Sequence, residues 1–191
     1  LDEGDGDAQG SLTYSPDGSQ LAVANQDVVR IWDPRAGTLL WTTKIDHRGS
    51  AVGYSPAGTL LCISDERSIV YFDARTHERL VSFEQHEGFW HSYAPDDSRL
   101  AVPTTEGTVE LWDPRAAAHV GTIGTRGDTI ARAVFAPDGT ELVTSSVETG
   151  LRVWDARRLT PRLTLPSPRG VVYVGYSPDG SRIVGGGQHG A

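Results

Sequence analysis

The sequence predicts an all-β protein assembled from a repeated unit of about 40 residues, each unit folding as four short antiparallel strands. Three observations lead there. A five-residue phrase recurs as Tyr14-Ser-Pro-Asp-Gly18, Tyr54-Ser-Pro-Ala-Gly58, Tyr93-Ala-Pro-Asp-Asp97, Phe135-Ala-Pro-Asp-Gly139 and Tyr176-Ser-Pro-Asp-Gly180, its prolines stepping by 40, 39, 42 and 41 residues. A second phrase, an aromatic followed by aspartate, recurs as Trp32-Asp33, Phe72-Asp73, Trp112-Asp113 and Trp154-Asp155, and follows the first at 16 or 17 residues. Between the two, apolar and polar residues alternate with the period of a half-buried strand.

Each element has its local cause. In Ser-Pro-Asp-Gly the proline presets φ at the second turn position and the aspartate supports the turn. The glycine then accepts the left-handed conformation that reverses the chain. An apolar second strand follows each time: Leu21–Ala24, Leu60–Ile63, Leu100–Val102, Leu142–Val143 and Ile183–Val184. The third strand places Val29, Ile69, Val109 and Leu151, then Ile31, Tyr71, Leu111 and Val153, on one face, with Arg30, Val70, Glu110 and Arg152 between them. The aspartates Asp33, Asp73, Asp113 and Asp155 precede a second turn, clearest as Asp33-Pro-Arg-Ala-Gly37, and read as turn caps rather than catalytic carboxylates. A weaker fourth strand follows around Leu39–Ile45, Leu80–Phe83, Val120–Ile123 and Leu163–Leu165.

Four antiparallel strands in about 40 residues make one blade of a β-propeller. The aromatic-Asp closing a third strand, with the F/Y-S-P-D-G hairpin opening each unit, resembles the WD-repeat (WD-40-type) family from Ser11 to the end of the chain. The expected organisation is an acidic lead-in at 1–10 and blade repeats at 11–49, 50–88, 89–128 and 129–170, with a partial repeat at 171–191. That is four complete blades and the first hairpin of a fifth. The resemblance implies a ring of about seven blades, so the chain is expected to be a fragment of a longer parent whose remaining blades cover the open faces. Family blades carry a Gly-His pair before the first strand. His47 and His86 lie near that place without the glycine, and the fourth unit has Thr125-Arg126-Gly127 instead, so apolar packing is expected to replace a histidine-centred network.

Composition narrows the function classes. The net charge of −8 argues against nucleic acid, which demands a basic face. The longest apolar runs fall far short of a membrane helix. The single cysteine, Cys62, lies between Leu61 and Ile63 and reads as a small core residue. With no internal disulfide to form, nothing requires an oxidising compartment, and a cytoplasmic location is expected. The acidic start has neither the basic residues nor the apolar stretch of a secretory signal.

No nucleophile elbow, P-loop or dinucleotide fingerprint occurs. His86 and His91 stand five apart in His86-Glu-Gly-Phe-Trp-His91, whereas a helical zinc motif needs four, so no metal or other cofactor is expected. His91 occupies a first-strand place that is apolar elsewhere (Leu12, Val52, Ala133, Val174). It reads as a core histidine or as a polar group lining the central channel beside Trp90. Gly185–Gly187 reads as the small-residue end of a second strand, and the arginines of the fourth unit, including Arg157 and Arg158, as a solvated face.

The family resemblance implies a non-catalytic scaffold or regulatory module that binds a protein or peptide on its loop rim. That rim combines the interblade loops near 46–50, 85–90, 125–128 and 166–170 with the second-to-third-strand loops near 25–27, 64–67, 104–107 and 145–149. Trp90, Arg48, Arg67, Arg126 and His91 are the candidate contacts, because aromatic and arginine side chains dominate binding energy. The alternative is a propeller belonging or accessory to a hydrolase, lactonase-like or peptidase-associated.

Overall fold

The computed structural model describes residues 11–25, 27–44, 51–64, 68–84, 91–124, 126–165 and 171–187. Every regular element among them is a strand. The first sheet holds β1 (Ser11–Tyr14), β2 (Leu21–Asn25), β3 (Val28–Asp33) and β4 (Thr38–Lys44). The second holds β5 (Ala51–Tyr54), β6 (Leu60–Ser64), β7 (Ser68–Asp73) and β8 (Arg79–Glu84). The third holds β9 (Ser92–Tyr93), β10 (Leu100–Pro103), β11 (Thr108–Asp113) and β12 (Ala118–Gly124). The fourth holds β13 (Ile130–Phe135), β14 (Glu141–Ser146), β15 (Gly150–Asp155) and β16 (Thr160–Leu165), and β17 (Val171–Tyr176) with β18 (Ile183–Gly187) forms a two-stranded fifth. All strands pair antiparallel in chain order, as blades of a propeller do. The chain divides into two compact units, residues 1–85 with the first two sheets and residues 86–191 with the other three.

The two recurring phrases act as their chemistry dictates. In the first hairpin the Gly18 amide donates to the Ser15 carbonyl at 2.8 Å, and Gly18 takes φ +69°. The Ser15 hydroxyl accepts the Gln20 amide at 2.9 Å and donates to Asp17 at 2.6 Å, bracing the reversal from inside. In the third hairpin Asp97 takes the glycine's left-handed place at φ 58°. After each third strand the aspartate caps the next turn: Asp33 accepts the amides of Arg35 and Ala36 at 2.8 and 2.9 Å. Asp73, Asp113 and Asp155 each do the same for the amides two and three residues on.

That second turn closes on a left-handed residue, and only the first repeat uses glycine there. Gly37, His77, Ala117 and Leu159 all have positive φ. In two cases packing explains a side chain where the backbone favours none. The His77 ring stacks on Trp41 of the preceding sheet, centroids 4.9 Å apart and planes 12° from parallel. Leu159 lies over Gly121 of the preceding sheet, where a Cβ would come within 2.2 Å of its Cδ1.

Within each unit the second and third strands of one blade are buried against the first and second strands of the next. In the first unit Ala22, Ala24, Val29 and Ile31 meet Val52, Leu61, Ile63 and Ala74. Gln20 ties the same seam: its amide donates to the Ala74 carbonyl at 3.2 Å, and it accepts the Tyr54 hydroxyl at 2.8 Å. In the second unit Ala101, Val109 and Leu111 pack on Ile130, Ala133, Phe135 and Leu142, and Val143, Leu151 and Val153 pack on Val171 and Val174. All eight apolar third-strand residues named from the alternation are buried. Cys62 is not a core residue. Leu61 and Ile63 point into the core, and the pleat turns the thiol between them to a half-buried place.

The fourth strands are weakly patterned for a structural reason. Every third-to-fourth pairing shifts register just before its aromatic-Asp pair, leaving Leu40, Leu80, Val120 and Arg162 as the extra residues. A bulge at the same place in four sheets breaks the two-residue period that a regular strand displays.

Candidate interaction surface

The most fully described part of the predicted rim is the corner where loop 126–129 meets loops 104–107 and 146–149, all in the second unit. Backbone geometry builds it first. Gly107 takes φ +83°, and a Cβ there would lie 1.9 Å from the Asp128 carbonyl oxygen, so the loop rests directly on this glycine. The Gly127 amide donates to the Glu106 carbonyl at 2.9 Å, and the Val147 amide to the Thr129 carbonyl at 3.2 Å.

Side chains then lock the corner. Asp128 accepts from the Ser146 hydroxyl and, at 2.7 Å, from the Thr149 hydroxyl. Glu148 accepts the Thr129 amide at 2.9 Å and its hydroxyl at 3.0 Å. Ser146 in turn accepts the amides of Glu148 and Thr149 at 3.1 and 3.0 Å. Burial by itself would raise the Asp128 carboxyl, but the hydrogen bonds from Ser146, Thr149 and the Thr129 amide hold it below the usual range. Asp128 thus ties the interblade loop into its own blade.

Above this fixed base stands one exposed ion pair, Arg126 Nη2 to Glu106 Oε2 at 3.3 Å, with side chains 83% and 61% exposed. A pair so open contributes about 0–1 kcal/mol, so either charge exchanges readily for a partner's. Arg126, one of the candidate contacts, is exposed and paired with Glu106. Trp90, Arg48 and Arg67 lie outside the described residues, as do His47 and His86. His91 is half-buried immediately before β9, and burial pushes its pKa down to about 4, which keeps the ring neutral at pH 7. Glu106, Asp128 and Glu148 are the site residues that the sequence did not single out. Their only local signal is that polar residues sit in loops already placed on the rim.

Elsewhere the carboxylates serve their own turns. A cleft of about 410 Å³ between the fourth and fifth hairpins is lined by Asp138, Glu141 and Asp179. Asp138 accepts the Thr140 amide and hydroxyl, Asp179 accepts from Ser177 and Ser181, and Glu141 holds Arg162 at 2.6 Å. Arg158 pairs with Asp155 at 3.2 Å. Among the described residues no group of three or more metal-ligating side chains is assembled, and no helix is long and apolar enough to cross a membrane.

No known family profile matches the chain. Curated proteins do resemble it. They include the transcription factor unc-37 of Caenorhabditis elegans, 21% identical over 76% of this chain and 26% of the relative. The serine-threonine kinase receptor-associated protein of Gallus gallus is 27% identical over 74% of this chain and 41% of the relative. WD repeat-containing protein 46 of C. elegans is 24% identical over 82% and 27%. The chain therefore spans well under half the length of these relatives. Among solved structures, the β-propeller domain of Myceliophteria thermophila Cps50 (Swd1) superposes with a TM-score of 0.69 at 15% identity, covering 93% of this chain and 61% of that one. The two phrases locked about 40 residues apart, the four-stranded sheets they produce and these likenesses agree: the chain has a β-propeller fold and is similar to WD-repeat proteins.

Proposed function

We propose that this chain is a non-catalytic interaction module that binds a protein or peptide partner on its loop rim. The observation that carries the reading is the corner at 104–107, 126–129 and 146–149. Its backbone is fixed by hydrogen bonds, while Arg126 and Glu106 stand exposed above it. A preorganised surface with displaceable charges suits recognition, because little ordering entropy is lost on binding. The relatives point the same way, since their names include a transcription factor and a receptor-associated protein. The repeats bounded at 11–49, 50–88, 89–128 and 129–170 would each supply one pair of rim loops, with further blades of a longer parent extending the surface. A single cysteine, with no second one to pair with in this sequence, fits a cytoplasmic setting.

The reading is tested by selecting peptides from a random display library on the 191-residue chain and mapping them by hydrogen–deuterium exchange. Bound peptides should protect amides in 104–107, 126–129 and 146–149. Gly107→Ala, which pushes a methyl into the Asp128 carbonyl, should weaken them about tenfold, ~1.4 kcal/mol. Failure to select any peptide, or protection confined to the hairpin turns around the prolines, overturns it.

A further inference from the structure

Tyr54 and Tyr176 hold the same place in their repeats, two residues before the hairpin proline. The Tyr54 hydroxyl donates to Gln20 of the preceding sheet at 2.8 Å and so bridges the seam between the first and second sheets. Gln20 stands four residues after its own hairpin proline, and the residue at that place in the fourth sheet is Glu141. Glu141 is engaged elsewhere: it accepts from Arg162 at 2.6 Å, in an ion pair whose side chains are 31% and 50% exposed. The Tyr176 hydroxyl is meanwhile buried, with no hydrogen-bond partner among the described residues. Burial raises the pKa of this phenol most, and the charges of Glu141 and then Asp138 raise it further, so both carboxylates lie near it. Asp138 already has both oxygens on the Thr140 hydroxyl, which leaves Glu141 as the acceptor. Between the third and fourth sheets the corresponding residue is Phe135, which has no hydroxyl to satisfy. Arg162 is what draws Glu141 away. It is the extra residue of the β15–β16 bulge, a place held in the other sheets by Leu40, Leu80 and Val120.

We propose that Glu141 is a two-position latch: held on Arg162 it leaves the Tyr176 hydroxyl unbonded, and released from Arg162 it accepts that hydroxyl and fastens β17 to the fourth sheet. Glu and Gln side chains are equal in length, so the reach that joins Gln20 to Tyr54 is open to Glu141 as well. A buried donor without an acceptor costs the full desolvation of its hydroxyl, whereas an ion pair this open contributes little. A hydrogen bond to a carboxylate is also stronger than the one Tyr54 makes to a neutral amide. Closing the latch therefore gains more than the ion pair loses, and Arg162 sets the balance. Through it the outer strand β16 controls how firmly the fifth sheet is held, a property separate from the rim and its partner.

The test is hydrogen–deuterium exchange of the β17 and β18 amides in the 191-residue chain. Wild type is compared with R162A, E141Q, Y176F and R162A/Y176F, each checked for its fold by circular dichroism. R162A should slow exchange across Val171–Tyr176 and Ile183–Gly187 about fivefold, because the freed carboxylate gains a buried hydrogen bond. E141Q, which Arg162 no longer holds by charge, should slow it by a similar factor through the bond that Gln20 makes to Tyr54. R162A/Y176F should exchange as fast as Y176F alone, since the hydroxyl that the latch needs is gone. Exchange that fails to slow in R162A or in E141Q overturns the latch, and so does slowing that persists in R162A/Y176F.

Discussion

Asp17 concentrates the chemistry of the opening hairpin in one carboxylate. It accepts from the Ser15 hydroxyl, then from the Ser19 amide at 3.0 Å and the Ser19 hydroxyl at 2.9 Å, and these bonds pull its pKa down to about 2. Asp179 repeats the arrangement with Ser177 and Ser181 and also falls to about 2. A carboxyl lowered by folding contributes stability above its unfolded pKa of ~3.9 and loses it as pH falls towards 2. Thermal melts of a D17N/D179N variant should therefore show a shallower fall of melting temperature between pH ~4 and ~2 than wild type, and equal slopes would contradict this account. The second repeat shows what the aspartate does not do. Ala57 stands in its place, yet Gly58 still bonds the Ser55 carbonyl at 2.9 Å and Leu60 the Ser55 hydroxyl at 3.0 Å.

At the scale of the strand, equal positions in the repeat carry unequal weight. Trp154 is buried and donates its indole N–H to the Thr144 hydroxyl at 3.0 Å, itself almost fully enclosed. Trp112 is half-buried, and its indole reaches Glu110 on its own strand at 3.0 Å. Trp154→Phe should cost ~1–3 kcal/mol, because it strands a buried hydroxyl, whereas Trp112→Phe should stay within about 0.5 kcal/mol. Urea midpoints of the two variants check the difference, and similar shifts would count against it. The repeat period shows where a tryptophan stands. It does not show what stands against it, because Trp154 reaches Thr144 on the neighbouring strand whereas Trp112 reaches Glu110 on its own.

Over the molecule, the same logic separates covered faces from open ones. The place held by Val52, Ala133 and Val174 is 7%, 2% and 8% exposed, whereas Leu12 in the first sheet is 70% exposed and Tyr14 55%. The exposed residues carry the apolar chemistry of a face made to be covered, and apolar patches of that kind promote association. The 191-residue chain should therefore sediment with a concentration-dependent mass that L12S/Y14S reduces. Concentration-independent monomer behaviour would contradict this reading.

The sequence by itself determined the period, the two turns, the strand order within a sheet and the buried face of each third strand. All of these rest on contacts within a few residues or on strict two-residue alternation. The corner at 104–107, 126–129 and 146–149 was legible only as loops of a rim. Tertiary structure chose Asp128 and Glu148 to lock it, through hydroxyls about 20 residues away. Tertiary structure also decided that His77 and Leu159 fill left-handed turn positions, since each packs on a sheet the local chain does not contain. It turned Cys62 out of the core, buried Val52 while leaving Leu12 open, and set Arg132 on Tyr173. A repeat fixes what each blade can be; which copy is covered, paired or poised for a partner depends on the neighbour packed against it.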